Sequence, residues 1–251
     1  MRNLLLTIRY CGANYSGWQV QANAPTVQQT FQDAVERLFQ ARENVTGCSR
    51  TDSGVHANMY CCNIRTASAL PCGTVVKGLN AYLPEDIAVL ACEEVNYDFH
   101  ARYDCTGKEY RYIIRNHPVR DPFLIGRCWH FRPELDAELM HEQAQAFVGE
   151  HDFSAFCASG ASTVNNVRTV SSFSVERRGD EILFHVTADG FLYNMVRIMV
   201  GTLADLSLGK IPPGTIPSIL VSRDRERAGV TAPPQGLYLN KVFYDRKGEP
   251  K

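Results

Sequence analysis

Strand-like and helix-like segments alternate along this chain, twice over, with no glycine-rich nucleotide loop between the first strand and the first helix. Residues 4–10 are an apolar run of strand length. Thr26 opens a helix in which Val27, Phe31, Ala34, Val35 and Leu38 recur on one face. Thr26 and Gln29, three residues on, have the form of a capping box. Residues 59–65 and 87–95 read as strands around a short helix near 75–83, and 110–115 as the next strand. The second half repeats the style. Asp136 caps a helix that runs through Val148 and ends at Gly149. Residues 167–178 and 181–187 pair as a hairpin through the turn Arg178-Gly179-Asp180. Residues 191–206 form a long apolar helix. Pro212-Pro213-Gly214 breaks the chain, 216–221 form a short helix, and 236–244 a closing strand. The pattern predicts an α+β fold of two similar half-domains sharing one antiparallel sheet. The expected boundaries are 1–104 and 105–245, with a frayed tail over 246–251.

Composition excludes several classes. The chain is 45% hydrophobic and 21% charged, which is globular rather than disordered. No apolar run approaches the ~20 residues of a membrane helix. The N-terminal Leu4-Leu5-Leu6 run is too short for a signal peptide and lacks a small-residue cleavage site. There are nine cysteines, an odd count, with Cys61 and Cys62 adjacent and no C-x-x-C. That is no disulfide framework, and it points to a reducing, cytoplasmic setting. The histidines and cysteines have no zinc-site spacing, so no metal and no membrane partner are expected.

Lys and Arg total 26 against 27 Asp and Glu, so no global field attracts a polyanion. The local picture differs. Between His100 and Arg132 lie seven Lys/Arg and three Asp/Glu, interleaved with Tyr103, Tyr110, Tyr112, Phe123, Trp129 and Phe131. Cations among aromatics suit nucleic acid. A strand pair with a solvated charged face has the same composition.

Two segments stand out chemically. Arg50-Thr51-Asp52-Ser53-Gly54-Val55-His56-Ala57 is polar, lies between strand-like runs and sets a carboxylate two residues from an Arg. Its Asp-Ser-Gly is also ordinary turn chemistry. In the 191–206 stretch a single cation, Arg197, sits within apolar sequence, which predicts a mid-helix Arg in need of a carboxylate.

Together with four other motifs, these segments resemble the tRNA pseudouridine synthase A family. Arg50 through Ala57 is similar to its R-T-D-x-G-V-H-A motif. Tyr15-Ser16-Gly17-Trp18-Gln19-Val20-Gln21 resembles its Y-x-G-W-Q-x-Q loop, and Thr26-Val27-Gln28 its helix opening. Phe99-His100-Ala101-Arg102 followed by Lys108-Glu109-Tyr110-Arg111-Tyr112 resembles its F-x-A-R…Y-R-Y strand. Residues 191–201 resemble its Arg-bearing helix and Gly236-Leu237-Tyr238-Leu239 its closing strand. Ser49 departs from the Gly usual before R-T-D, which bears on the backbone shape of the loop.

The resemblance implies an isomerase that converts uridine to pseudouridine at positions 38, 39 and 40 of the tRNA anticodon stem-loop. It implies ferredoxin-like half-domains with a central cleft, a homodimer, and no cofactor. By motif, Asp52 is the catalytic carboxylate, acting on C1′ directly or through a glycal. Arg197 is its countercharge, and Tyr110 stacks on the base and handles a proton. Arg50, Thr51, Val55, His56 and Arg102 are expected at the substrate. Other readings stay open: a paralogue acting on ribosomal RNA, a non-catalytic RNA-binding module, and a thiol or metal protein.

Overall fold

The structure, a computed structural model, describes residues 1–160 and 165–245. The expected fraying over 246–251 lies outside the described residues. In chain order the elements are β1 (Arg2–Tyr10), α1 (Val27–Phe39), β2 (Val45–Gly47), β3 (His56–Thr66), α2 (Cys72–Tyr82) and β4 (Ile87–Val95). There follow β5 (Cys105–Asn116), β6 (Trp129–Phe131), α3 (Ala137–Ala144), β7 (Gly149–Asp152), β8 (Val167–Arg178) and β9 (Glu181–Ala188). The described chain closes with α4 (Met195–Ser207), α5 (Ile216–Ser222) and β10 (Leu237–Tyr244). Two compact units result. The first is Met1–Thr106 joined by the strand that returns at Tyr238, and the second is Gly107–Leu237. Each combines a sheet with helices, so the class is α+β.

In the first unit the strand order is β4-β1-β3-β10, with β2 also on β3. β1 runs antiparallel to both neighbours, Leu6 facing Cys62 on one side and Cys92 on the other. Its Leu4, Leu5, Leu6 and Ile8 are all buried, each contributing about 1.5–3 kcal/mol of apolar burial. In this unit β10 departs from the antiparallel expectation: it lies parallel to β3, Tyr238 opposite His56 and Leu239 opposite Ala57. α1 begins where its cap predicts, with Thr26 Oγ1 accepting from Gln29 N at 3.3 Å. The capping box is only half made, because the Gln29 amide turns forward to Asp33 Oδ1 (2.7 Å).

The second unit has the order β5-β9-β8-β7, with β6 parallel to β5. The β8–β9 hairpin turns at Gly179, whose φ of +59° suits glycine. Asp136 Oδ1 accepts from Leu139 N (2.9 Å) and starts α3. The helix stops at Ala144 and tightens into a 3₁₀ turn over Gln145–Phe147, short of the expected Val148. α4 corrects a larger reading. It begins at Met195 rather than 191, because its N-cap Asn194 sits in the left-handed region at φ 59°. Asn tolerates that conformation better than most residues. Arg197 is therefore in the first turn, not mid-helix. Periodicity misread the start because the apolar Phe191 and Leu192 continue the pattern without continuing the helix. Gly201 sets how closely α4 packs: a Cβ there would meet the Val230 carbonyl oxygen at 1.8 Å.

Candidate active site

The Arg50–Ala57 segment is a turn held from both flanks by the Tyr15–Trp18 loop. Gly17, at φ +91°, lets the chain reverse beside it, and a Cβ there would meet Thr51 O at 2.5 Å. Trp18 N then donates to Thr51 O (3.1 Å), and Gly54 N donates to Tyr15 O (3.2 Å). Between those anchors Val55 N donates to Asp52 O (3.1 Å), closing a tight turn with Asp52 at its first position. Asp52 is half-buried. Gly12 presses against the far side, where an added Cβ would meet Val55 O at 2.0 Å.

Aromatic rings support this loop. Trp18 stacks on Tyr60 at 4.0 Å, and Tyr10 packs against both. The Tyr10 and Thr51 hydroxyls are hydrogen-bonded at 2.8 Å. Tyr60 Oη donates to Ser49 O. Ser49 is not among the residues with positive φ, so the backbone here does not require the glycine that the motif it resembles would place there. Burial pushes the Tyr60 hydroxyl well up from its ordinary range, keeping it a proton donor. Tyr15 Oη donates to Asp86 Oδ1 (2.7 Å), and burial together with that carboxylate raises it too. His56, 2% exposed, accepts Gly12 N on Nδ1 (3.0 Å) and stacks on Tyr238 at 4.6 Å. With Nδ1 accepting, the neutral ring carries its proton on Nε2.

Tyr110 and Arg197 belong to the second unit. Tyr110, on β5 opposite Val186, is buried and meets Phe191 edge-on at 4.9 Å. Arg197 is half-buried. Its Nε donates to Ala232 O (2.7 Å) and its Nη1 to Asn194 Oδ1 (2.6 Å). A cation in the first turn of a helix opposes the macrodipole, so something must hold it there. The two hydrogen bonds do so. Guanidinium and helix N-terminus then add their positive potentials, an arrangement that favours an anion. Tyr112 Oη donates to Pro233 O (2.7 Å), tying the next strand position to the segment that carries Ala232. Burial raises Tyr112, and the Arg197 charge opposes that rise.

The sequence-predicted residues thus fall into three settings. Thr51, Val55 and His56 are buried and support the turn, and Tyr110 is buried on β5; Arg50 and Arg102 are exposed; Asp52 and Arg197 are half-buried. Sequence reasoning missed Gly12, Tyr10, Tyr60, Asp86 and Asn194. Asp86 follows Pro84-Glu85 and reads only as loop, while Asn194 was hidden by the apolar pattern around it. A cavity of about 360 Å³ lined by Arg115, Cys128, Trp129 and His130 contains none of the residues expected around the carboxylate, but these four lie within the cation-and-aromatic stretch between His100 and Arg132. No cluster suited to a metal ion occurs among the described residues.

A family model described as tRNA pseudouridine synthase matches residues 6–104 and 143–245. The chain belongs to the tRNA pseudouridine synthase family. Its curated relatives agree along their whole length. The chain is 48% identical over 244 residues to tRNA pseudouridine synthase A of Acetivibrio thermocellus, covering 97% of this chain and 100% of that protein. It is 46% identical, with the same coverage, to the Thermoanaerobacter sp. (strain X514) protein of that name. It is 44% identical, again with the same coverage, to tRNA pseudouridine synthase A 2 of Clostridium perfringens. A tRNA pseudouridine synthase is an isomerase that turns uridine into pseudouridine in tRNA. Both family-matched segments carry the motifs described above, residues 50–57 in the first and 191–201 in the second.

Proposed function

We propose that this isomerase acts on uridines 38, 39 and 40 of the tRNA anticodon stem-loop, as a cytoplasmic homodimer, with Asp52 as its catalytic carboxylate. The observation that carries the reading is the Asp52 turn, fixed on both flanks through Thr51 O and Gly54 N. A carboxylate whose backbone is locked in this way is pre-positioned for chemistry, since its side chain has few torsions left to order.

The reaction breaks the C1′–N1 bond and forms C1′–C5. A proton leaves C5 and one arrives at N1, so atoms and electrons balance within the nucleoside. Asp52 serves as nucleophile at C1′ or as base toward the sugar, and both roles need it ionised. Arg197 supplies the opposite charge that keeps a carboxylate ionised as water is excluded. Tyr110 stacks on the target base and hands on a proton. Arg50 and Arg102 contact the RNA, while Thr51, Val55 and His56 shape the surface beneath it. A uridine inside a stem must leave the stack to be reached, at a cost of a few kcal/mol. Nine cysteines with no C-x-x-C spacing suit a reducing compartment.

Pseudouridine mapping in tRNA and ribosomal RNA from a deletion strain tests the substrate. Loss confined to tRNA positions 38–40, restored by the wild-type chain, is expected. Loss in ribosomal RNA with intact tRNA would contradict the reading.

A further inference from the structure

The turn after β4 is held by more buried hydrogen bonding than its length requires. Ala101 is wholly buried; its N–H donates to Asn63 Oδ1 (2.9 Å) and its carbonyl accepts from Tyr244 Oη (2.7 Å). The buried Asn3 amide donates to the carbonyls of Asn96 (3.1 Å), Tyr97 (3.2 Å) and Phe99 (2.8 Å), and it accepts from Asn63 Nδ2 (3.0 Å). Two buried amides and a tyrosine are thus committed to fixing one short surface segment. Buried polar networks of this kind rigidify what they hold.

The outer half of the turn is fixed as well. His100 N donates to Asp104 Oδ2 (2.8 Å), and Asp104 N returns to His100 O (3.0 Å). His100 Nδ1 accepts from both Arg102 N (3.1 Å) and Tyr103 N (3.2 Å). The His100 ring then lies against Tyr103, 4.2 Å between centroids at 30°. Tyr103 is 77% exposed, and Arg102 beside it is exposed too. The core has no use for Tyr103, yet its ring is braced on one face by a histidine that is itself pinned.

We propose that Tyr103, braced by His100, is a stacking platform for an unpaired base of the tRNA, with Arg102 meeting the neighbouring phosphate. This rests on the tRNA substrate class of the preceding reading. A ring braced on one face offers the other to a second flat π system. Nucleobases fit because every base has such a face and carries a phosphate for the adjacent cation. Pre-ordering lowers the entropy cost of binding. The base must be unpaired, because a stacked duplex interior covers both faces of its bases. Tyr103 is thereby a positioning residue, acting on how the RNA is seated.

Equilibrium binding of two probes tests this: an unmodified tRNA transcript and a fully paired RNA stem of similar length. Tyr103→Ala and Tyr103→Leu are expected to raise Kd for tRNA roughly 5- to 100-fold, with the salt slope unchanged. Tyr103→Phe keeps the ring and should bind within twofold of wild type. All three should bind the paired stem as wild type does. Arg102→Ala should weaken both probes and lower the salt slope by about one. Near-wild-type tRNA binding by Tyr103→Ala and Tyr103→Leu would overturn the proposal, as would equal losses on both probes. Because binding is read without turnover, that failure leaves the isomerase reading standing. Failure of the isomerase reading appears instead in the pseudouridine map.

Discussion

The surroundings of Asp52 and of Arg197 are built in different ways. The Asp52 turn is fixed by backbone: three main-chain hydrogen bonds, two glycines against carbonyl oxygens, and a platform of stacked rings below. Arg197 is fixed by side-chain bonds to Asn194 and Ala232 at the start of a helix that Gly201 lets approach Val230. The carboxylate is thus placed by the main chain and the cation by its own guanidinium. Backbone placement tolerates loss of single side chains but not of glycine. Side-chain placement should be sensitive to each polar partner.

The largest effects should come from one glycine on each side, Gly12 behind the Asp52 turn and Gly201 in α4. Gly12→Ala and Gly201→Ala each put a methyl within about 2 Å of a carbonyl oxygen that belongs to backbone and has little room to move. Overpacking typically costs about 1–3 kcal/mol, and these contacts belong at or beyond the top of that range. Chemical denaturation of the purified variants checks this, and wild-type midpoints for either would refute the close approach.

Next is Tyr60→Phe, which removes the donor to Ser49 O while keeping the stack on Trp18. Leaving that carbonyl unsatisfied should cost about 1–3 kcal/mol, with the chemical step little changed if backbone alone places Asp52. Asn194→Gly sharpens the contrast from the other side. Glycine keeps the left-handed backbone at no strain but drops the 2.6 Å bond to Arg197. A stability loss of about 1 kcal/mol and a several-fold slower single turnover are expected. The reverse pattern in these two variants, slow Tyr60→Phe and full-speed Asn194→Gly, would invert the comparison.

What the sequence disclosed follows the same division. Strands β4 and β8 were legible to the residue, because alternation and turn residues bound them directly. The Asp136 cap was legible because a cap is a local interaction. The three-residue strands β2 and β6 were not, since their pairing depends on distant partners and leaves no period to read. The Asp52 turn announced itself through Asp52-Ser53-Gly54 and the motif around it. The start of α4 did not, because Phe191 and Leu192 extend the helical pattern past the point where Asn194 breaks it. Tyr10, Tyr60 and Asp86 were invisible for a similar reason: their roles arise only when separate strands and loops meet.

The smallest effect concerns acid stability of the second unit. Burial lowers His185 below its ordinary value, against the opposing pull of Glu109 at 3.8 Å. The unfolded chain then binds more protons than the folded one between the ordinary histidine pKa of about 6.5 and the lower folded value. This contribution is present above pH 6.5 and is lost as pH falls through that window. His185→Gln should flatten the decline of the melting temperature below pH 6.5. An unchanged slope would mean that His185 does not contribute.

Single-turnover pseudouridine formation with Asp52→Asn on an unmodified tRNA transcript, measured alongside its tRNA affinity, asks whether Asp52 performs the chemistry. The substitution is nearly isosteric and leaves the backbone bonds of the turn in place. No product above background, with tRNA bound within severalfold of wild type, is the predicted result. Measurable turnover by a preparation free of wild-type enzyme would contradict the account.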